Sequence, residues 1–161
     1  MTIPGLSLVP LTPEMASGRW LGWFRDPDVK AFIIAKPKSV AALRRAAQAW
    51  QDDPRVLALA VMIGKRHLGN VKLELSRPLG DIAELGLLLA PEARGRGIGP
   101  EVIQQAVAAA QRAWPRVTKV MAGIFPENVA SLKAFQKAGF ALTGPDRIWA
   151  VWPKKAAGRV R

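Results

Sequence analysis

The sequence predicts an α+β fold on a single mixed sheet, and three observations point there. Apolar residues alternate with a period of two in some stretches and recur every three or four residues in others. Turn signals separate these stretches at Gly64-Lys65, at Pro78-Leu79-Gly80-Asp81 and at Gly144-Pro145-Asp146. The chain has 161 residues, half of them apolar, which suits one domain with one core and is short for two.

Residues 6–11 read as a short strand. Thr12 and Pro13 open a helix, as N-cap and first helical residue, that carries Met15, Trp20, Trp23 and Phe24. Asp26-Pro27-Asp28 ends it, and Lys36-Pro37-Lys38-Ser39 is a loop. A second helix over 40–50 puts Val40, Leu43, Ala47 and Trp50 on one face. Strands follow over 55–63, 66–75 and 82–90. Residues 101–113 are an amphipathic helix and 117–125 a strand. A helix over 128–138 has Asn128 as N-cap and Gly139 just past its end. Residues 140–142 and 147–152 make a last hairpin. The order is strand, helix, helix, three strands, helix, strand, helix, two strands. One domain is expected over 1–153, followed by a basic, disordered tail over 154–161.

Composition narrows the chemistry. The absence of cysteine excludes disulfides and thiolate catalysis. The single histidine, His67, disfavours a histidine metal site or a Ser-His-Asp triad and reads as a half-exposed strand residue, so no metal is expected. No apolar run approaches the ~20 residues of a membrane helix. The first ten residues lack a basic leader, and Pro4 and Pro10 interrupt any signal-like core, so a cytoplasmic location without membrane contact is expected. Net charge is +12, and residues 54–161 hold 17 basic against 7 acidic groups. The excess therefore sits in the half of the chain that carries the glycine-rich turn. Such a field attracts phosphates, whether on a small cofactor or on nucleic acid. The six tryptophans read as core rather than as a base-stacking platform.

That turn is Arg94-Gly95-Arg96-Gly97-Ile98-Gly99, between the 82–90 strand and the 101–113 helix. A strand that ends in such a turn and re-enters as a helix points free backbone N–H groups and the positive end of the helix dipole at one spot. It lacks the Gly-Lys-Ser/Thr ending of a P-loop and the acidic ribose partner of a dinucleotide fold. About 30 residues later, Asn128 opens a helix that closes on Gly139-Phe140. Together the two segments resemble the signatures of the GNAT superfamily of acetyl-CoA-dependent N-acetyltransferases. The first matches its Arg/Gln-x-x-Gly-x-Gly/Ala diphosphate turn, and the second its Asn-initiated helix. The resemblance is strong over 66–144. It implies a single-domain α+β fold with a mixed, mostly antiparallel sheet flanked by helices. It also implies direct acetyl transfer to an amine, with acetyl-CoA as cosubstrate.

The resemblance assigns Arg94, Gly95, Arg96, Gly97, Ile98 and Gly99 to the diphosphate, and Asn128 and Phe135 to the coenzyme arm. Backbone N–H groups near Leu87, Leu88 and Leu89 would polarise the thioester, freed by a bulge at Gly86. Glu84 is the candidate base, because a carboxylate in an apolar strand is costly to bury and desolvation raises its pKa. It also reads as a solvated residue facing Lys72 or Arg77, with Glu74 the second choice. Many relatives carry a tyrosine proton donor seven residues after the Asn. This chain has Phe135 there and no tyrosine at all. Ser131, one turn earlier on the same helix face, is the candidate donor or the residue that orients a water. Its other reading is a helix-start serine bonded to backbone.

Acceptor residues would come from Trp20, Trp23, Phe32 and the stretch Gly69-Asn70-Val71-Lys72-Leu73. The pattern is similar both to amino-sugar acetyltransferases and to the branch that acetylates ribosomal-protein N-termini. An amino sugar or small amine, a protein α-amine and a nucleic-acid-linked amine stay open as acceptors. A non-catalytic coenzyme- or polyanion-binding module also stays open, as does monomer or homodimer.

Overall fold

The computed structural model describes residues 3–32, 36–144 and 148–153, and of residues 30–32 the backbone alone. The Phe32 side chain, the turn at 145–147 and the tail over 154–161 lie outside the described residues. In chain order the elements are β1 (Leu6–Pro10), a 3-10 turn (Pro13–Met15), α1 (Gly18–Trp23), α2 (Pro27–Phe32) and α3 (Val40–Asp52). There follow β2 (Val56–Ile63), β3 (Arg66–Leu75), β4 (Ile82–Leu89), a second 3-10 turn (Pro91–Ala93) and α4 (Gly99–Ala113). Last come β5 (Lys119–Ile124), α5 (Val129–Lys137), β6 (Ala141–Thr143) and β7 (Ile148–Trp152). The seven strands form one sheet in the order β1-β2-β3-β4-β5-β7-β6. All neighbours are antiparallel except β4 and β5, so the sheet is mixed and mostly antiparallel, as expected.

The first helical region departs from expectation. In place of one helix there is a turn and two short helices, because two local signals restart the chain. Thr12 makes no side-chain cap. Ser17 is extended (φ −148°, ψ 163°) and its Oγ accepts from the Trp20 N–H at 3.1 Å, which starts α1. Pro27 cannot prolong that helix, and Asp26 caps the next one by accepting from the Asp28 N–H at 2.9 Å.

The two sheet faces carry different loads. Leu59, Val71, Leu73, Ala83, Leu85, Val120, Ala122 and Ala150 are buried, and α4 packs on their side through Val102, Ile103, Ala106 and Ala110. Burying this continuous apolar layer is the main stabilising term. On the opposite face α3 lies over β2 and β3, with Leu43 and Ala47 buried and Trp50 beneath the Lys72 ammonium at 5.3 Å. The strip with Glu84 and Gly86 is left exposed.

Two features of the sheet position the site. β3 carries the extra residue Leu68, since Val61 pairs with Gly69 but Met62 pairs with His67. A Cβ at Gly69 would lie 2.6 Å from the Leu88 carbonyl, so only glycine admits β4 this closely. The second feature is a parting of strands. β4 and β5 pair only over Ile82–Lys119, Ala83–Val120 and Glu84–Met121, and β4 then runs on to Leu89 without its parallel neighbour.

Candidate active site

The parting frees backbone donors, and three hydrogen bonds show which ones. Ile82 accepts from Ser76 and Ala90 donates to Leu68, both towards β3, whereas Asp81 accepts from Thr118 towards β5. Backbone groups alternate along a strand. Even-numbered β4 residues therefore face β3, and odd-numbered ones face β5. Beyond Glu84, Leu85, Leu87 and Leu89 turn to that side, and Leu87 and Leu89 lie farthest past the last β4–β5 pair. Leu88, expected among the same donors, is paired with Asn70 and faces the other way. The expected bulge at Gly86 is absent: the β3–β4 ladder runs in regular register from Gly69–Leu89 to Leu75–Ala83. Strand divergence frees the donors instead.

The glycine turn begins where β4 ends. Arg94 closes the 3-10 turn by donating to Pro91 at 3.3 Å. Gly95 and Gly97 have φ of 74° and 71°, in the left-handed region that side chains resist. A Cβ on either would meet nothing within 4 Å, so backbone conformation and not crowding requires glycine. Ile98, 2 % exposed, anchors the turn in the core. Among the described residues no partner is found for the N–H groups of Gly95, Arg96, Gly97 and Ile98. α4 starts at Gly99 with no side-chain cap. The turn thus presents a row of N–H groups and the positive end of a 15-residue helix, an arrangement suited to a diphosphate. Gly99 is glycine for a different reason: a Cβ there would lie 3.3 Å from Ala134 on α5.

On α5, Asn128 is the N-cap, its Oδ1 accepting from the Ser131 N–H at 3.3 Å. Ser131 is half-buried, and no partner is found for its Oγ among the described residues. Phe135 is 4 % exposed, its ring edge-to-face with Phe140 at 5.0 Å. A ring so enclosed fills core and offers a coenzyme arm little surface. Glu84 also differs from expectation. It is exposed on the uncovered strip of the sheet rather than buried in an apolar strand. It stands across the ladder from Glu74 rather than from Lys72 or Arg77. Lys72 lies 3.8 Å from Glu74.

Sequence reasoning missed two clusters. His67 sits between Trp20 and Trp23, with ring centroids at 5.9 and 5.0 Å. In the amide orientation that satisfies both ends, Asn70 Nδ2 donates to His67 Nε2 at 2.7 Å and Oδ1 accepts from Trp20 Nε1 at 2.8 Å. Burial pushes the imidazole pKa down and the Arg19 charge adds to this, against a bond with Gly69. The second cluster ties the glycine-turn segment to the first helices. Arg19 pairs with Glu92 and donates to the His67 carbonyl at 2.7 Å. Arg94 Nη1 reaches Asp26 at 3.3 Å and Asp28 at 3.4 Å. These partners stand 48 to 73 residues apart in the chain, where no periodicity or spacing signal reaches.

Known structures share this architecture. An aminoglycoside acetyltransferase, AAC(6')-Ib, solved with coenzyme A, superposes with a TM-score of 0.75 at 18 % identity, over 91 % of this chain and 93 % of that one. An acetyltransferase from Thermus thermophilus gives 0.72 at 27 % identity, over 96 % of this chain and 100 % of the other. A chimera of the Vibrio cholerae spermidine N-acetyltransferase SpeG with hSSAT gives 0.76 at 18 % identity, over 91 % and 93 %. No curated protein sequence matches the chain significantly. The family profile of the acetyltransferase (GNAT) domain matches residues 6–141, which span the whole path from β1 through the glycine turn to the end of α5. The chain therefore belongs to the GNAT acetyltransferase family.

Proposed function

We propose that this protein moves an acetyl group from acetyl-CoA directly to a primary amine, of an amino sugar or other small amine or of a protein α-amine. The observation that carries this reading is the junction of the strand gap with the glycine turn. The Leu87 and Leu89 N–H groups, which lie past the last β4–β5 pair and have no β5 partner among the described residues, run into those of Gly95 to Ile98 within one stretch of chain. A thioester arm lying in the gap, with its diphosphate on the turn, would meet donors at both ends. Arg94, Arg96 and Gly99 complete the anion-binding end in this reading, and Asn128 borders the arm.

The reaction needs an uncharged amine, a polarised carbonyl and a stabilised leaving group. The amine lone pair attacks the thioester carbon, forming C–N, while Leu87 or Leu89 N–H stabilises the oxyanion. The C–S bond then breaks. Glu84, exposed on the open face, takes the amine proton through solvent, with Glu74 beside it. Ser131 Oγ–H donates to the departing sulfur, or orients a water that does. A thiol pKa near 8.5 makes this assistance modest in value. Neighbouring folds named for aminoglycosides and spermidine support an acceptor with several amines. The Glu74–Glu84 pair supports it too, since like charges opposed across a ladder are otherwise unfavourable.

The test is thiol release on incubating the protein with acetyl-CoA and a panel of an aminoglycoside, spermidine and a peptide with a free N-terminus. Release with one of them is expected. Acetyl-CoA should also raise Tm, as a ligand at 100 times Kd adds ~2.7 kcal/mol. A Tm shift without thiol release on any amine would instead identify a coenzyme-binding domain without transfer. Absence of both effects would overturn the reading.

A further inference from the structure

The glycines around the site answer to different constraints, and Gly86 answers to none of them. Gly95 and Gly97 have positive φ, Gly69 admits the Leu88 carbonyl, and Gly99 admits Ala134. The Gly86 backbone lies outside the left-handed region. A Cβ there would meet only the Lys72 carbonyl oxygen, at 4.0 Å, among the described residues. The ladder passes it in regular register, so no bulge calls for it either. A glycine inside a strand weakens the strand, and one without a local reason marks a place where something approaches the backbone.

Its place in the sheet says what approaches. Side chains alternate between faces along a strand, so Gly86 shares the open face of β4 with Glu84, and both are exposed. It lies two residues past Glu84, about 7 Å along the strand, where β5 has already left β4. The next residue, Leu87, turns its N–H to the gap. Lys72 stands opposite Gly86 on β3 and is the neighbouring side chain that could fill the same spot. Its ammonium is held instead over the Trp50 ring of α3, 5.3 Å from the centroid, and lies 3.8 Å from Glu74. Two independent features thus keep the floor of the sheet low at one point, between the candidate base and the candidate oxyanion donor.

We propose that Gly86 is a specificity-determining residue for the acceptor: by leaving the floor bare between Glu84 and Leu87, it admits a primary amine borne on a ring or on a branched carbon. This rests on the functional reading above. The amine nitrogen must come within about 3–3.5 Å of the thioester carbon, and the substituents of its own carbon are brought down onto the floor with it. A slim, unbranched amine has only hydrogens there and clears a side chain at position 86. A ring or a branched carbon meets that side chain.

Gly86→Ala and Gly86→Val, made in the full chain, test this on amines that differ only in bulk beside the nitrogen. Glucosamine is compared with ethanolamine, and a peptide beginning with valine with one beginning with glycine. Wild type is expected to acetylate the bulky member of at least one pair. Gly86→Val should lower kcat/KM on that member about tenfold or more, with Gly86→Ala intermediate, and change it little on the slim member. The Kd for coenzyme A, measured by calorimetry, should stay unchanged. Tm should hold or rise in Gly86→Ala, because the added Cβ meets open space in a regular strand. Equal losses on both members of a pair, a coenzyme A affinity that falls with the rate, or a lower Tm in Gly86→Ala would overturn the proposal, as would a wild type confined to slim amines. Wild-type protein that transfers acetyl to no amine would instead sink the functional reading beneath it.

Discussion

Phe135 and Phe140 close the C-terminus of α5 as a unit. Their rings meet edge-to-face at 5.0 Å, while the Phe140 N–H donates to the Phe135 carbonyl and the Gly139 N–H to Gln136. This is the hydrogen-bond pair and apolar contact of a Schellman ending. The aromatic ring at 135 therefore serves α5 and the core. Ser131→Ala is expected to lower kcat tenfold or more, whereas Phe135→Tyr should leave kcat unimproved. A hydroxyl on a ring 4 % exposed also costs about 1–3 kcal/mol if it finds no partner. Thiol-release rates and melting curves of the two variants check both statements. Wild-type turnover in Ser131→Ala would remove the serine from the mechanism.

Two glycines of the turn should fail in different ways. Gly99→Val drives a branched side chain against Ala134, already 3.3 Å from a Cβ, and should destabilise by about 1–3 kcal/mol. Gly97→Val meets open space but a φ of 71°, so it must rearrange the turn that presents the N–H row. Its expected signature is loss of the acetyl-CoA-induced Tm shift. Denaturant melts with and without acetyl-CoA separate the two, and a retained shift in Gly97→Val would place the diphosphate elsewhere.

Glu84→Gln should lower kcat at least tenfold with little change in acetyl-CoA affinity. Glu74→Gln should matter less, since Lys72 already engages that carboxylate. The loss should depend on the acceptor: an α-amine with pKa near 8 is partly neutral at pH 7.5, whereas a lysine amine near 10.4 is not. Rates on both amines that ignore Glu84→Gln would leave it a surface residue.

His67 predicts a pH dependence of stability. Its folded pKa lies below the ordinary value near 6.5, so the unfolded chain binds more protons between the two values. Stability is then full above about pH 6.5 and falls as pH drops through that value towards the folded pKa. Asp26 and Glu92, also lowered, lose their contributions only in the more acidic carboxylate range. Melting curves from pH 7.5 to 5 should therefore show a decline that His67→Gln flattens. An unchanged slope in that variant would assign the decline to other groups.

What the sequence determined by itself is local. Asn128 caps α5, Ser39 and the apolar spacing make α3, and the glycines at 95 and 97 adopt positive φ, because caps, periodicity and backbone sterics act within about one turn of chain. The succession of strands along the chain and the place of the turn between β4 and α4 followed from the same signals. The early helices were misread because Ser17 and Asp26 restart the chain at spacings that a continuous apolar pattern conceals. Only the tertiary structure decided the rest. The exposure of Glu84 depends on which helices cover which face, and the freeing of Leu87 and Leu89 depends on how far β5 follows β4. The Arg94–Asp26 contact and the His67 box join segments tens of residues apart. Such contacts form only after the sheet and its helices have packed, and the apolar core that dictates that packing is non-directional, so no residue spacing announces them.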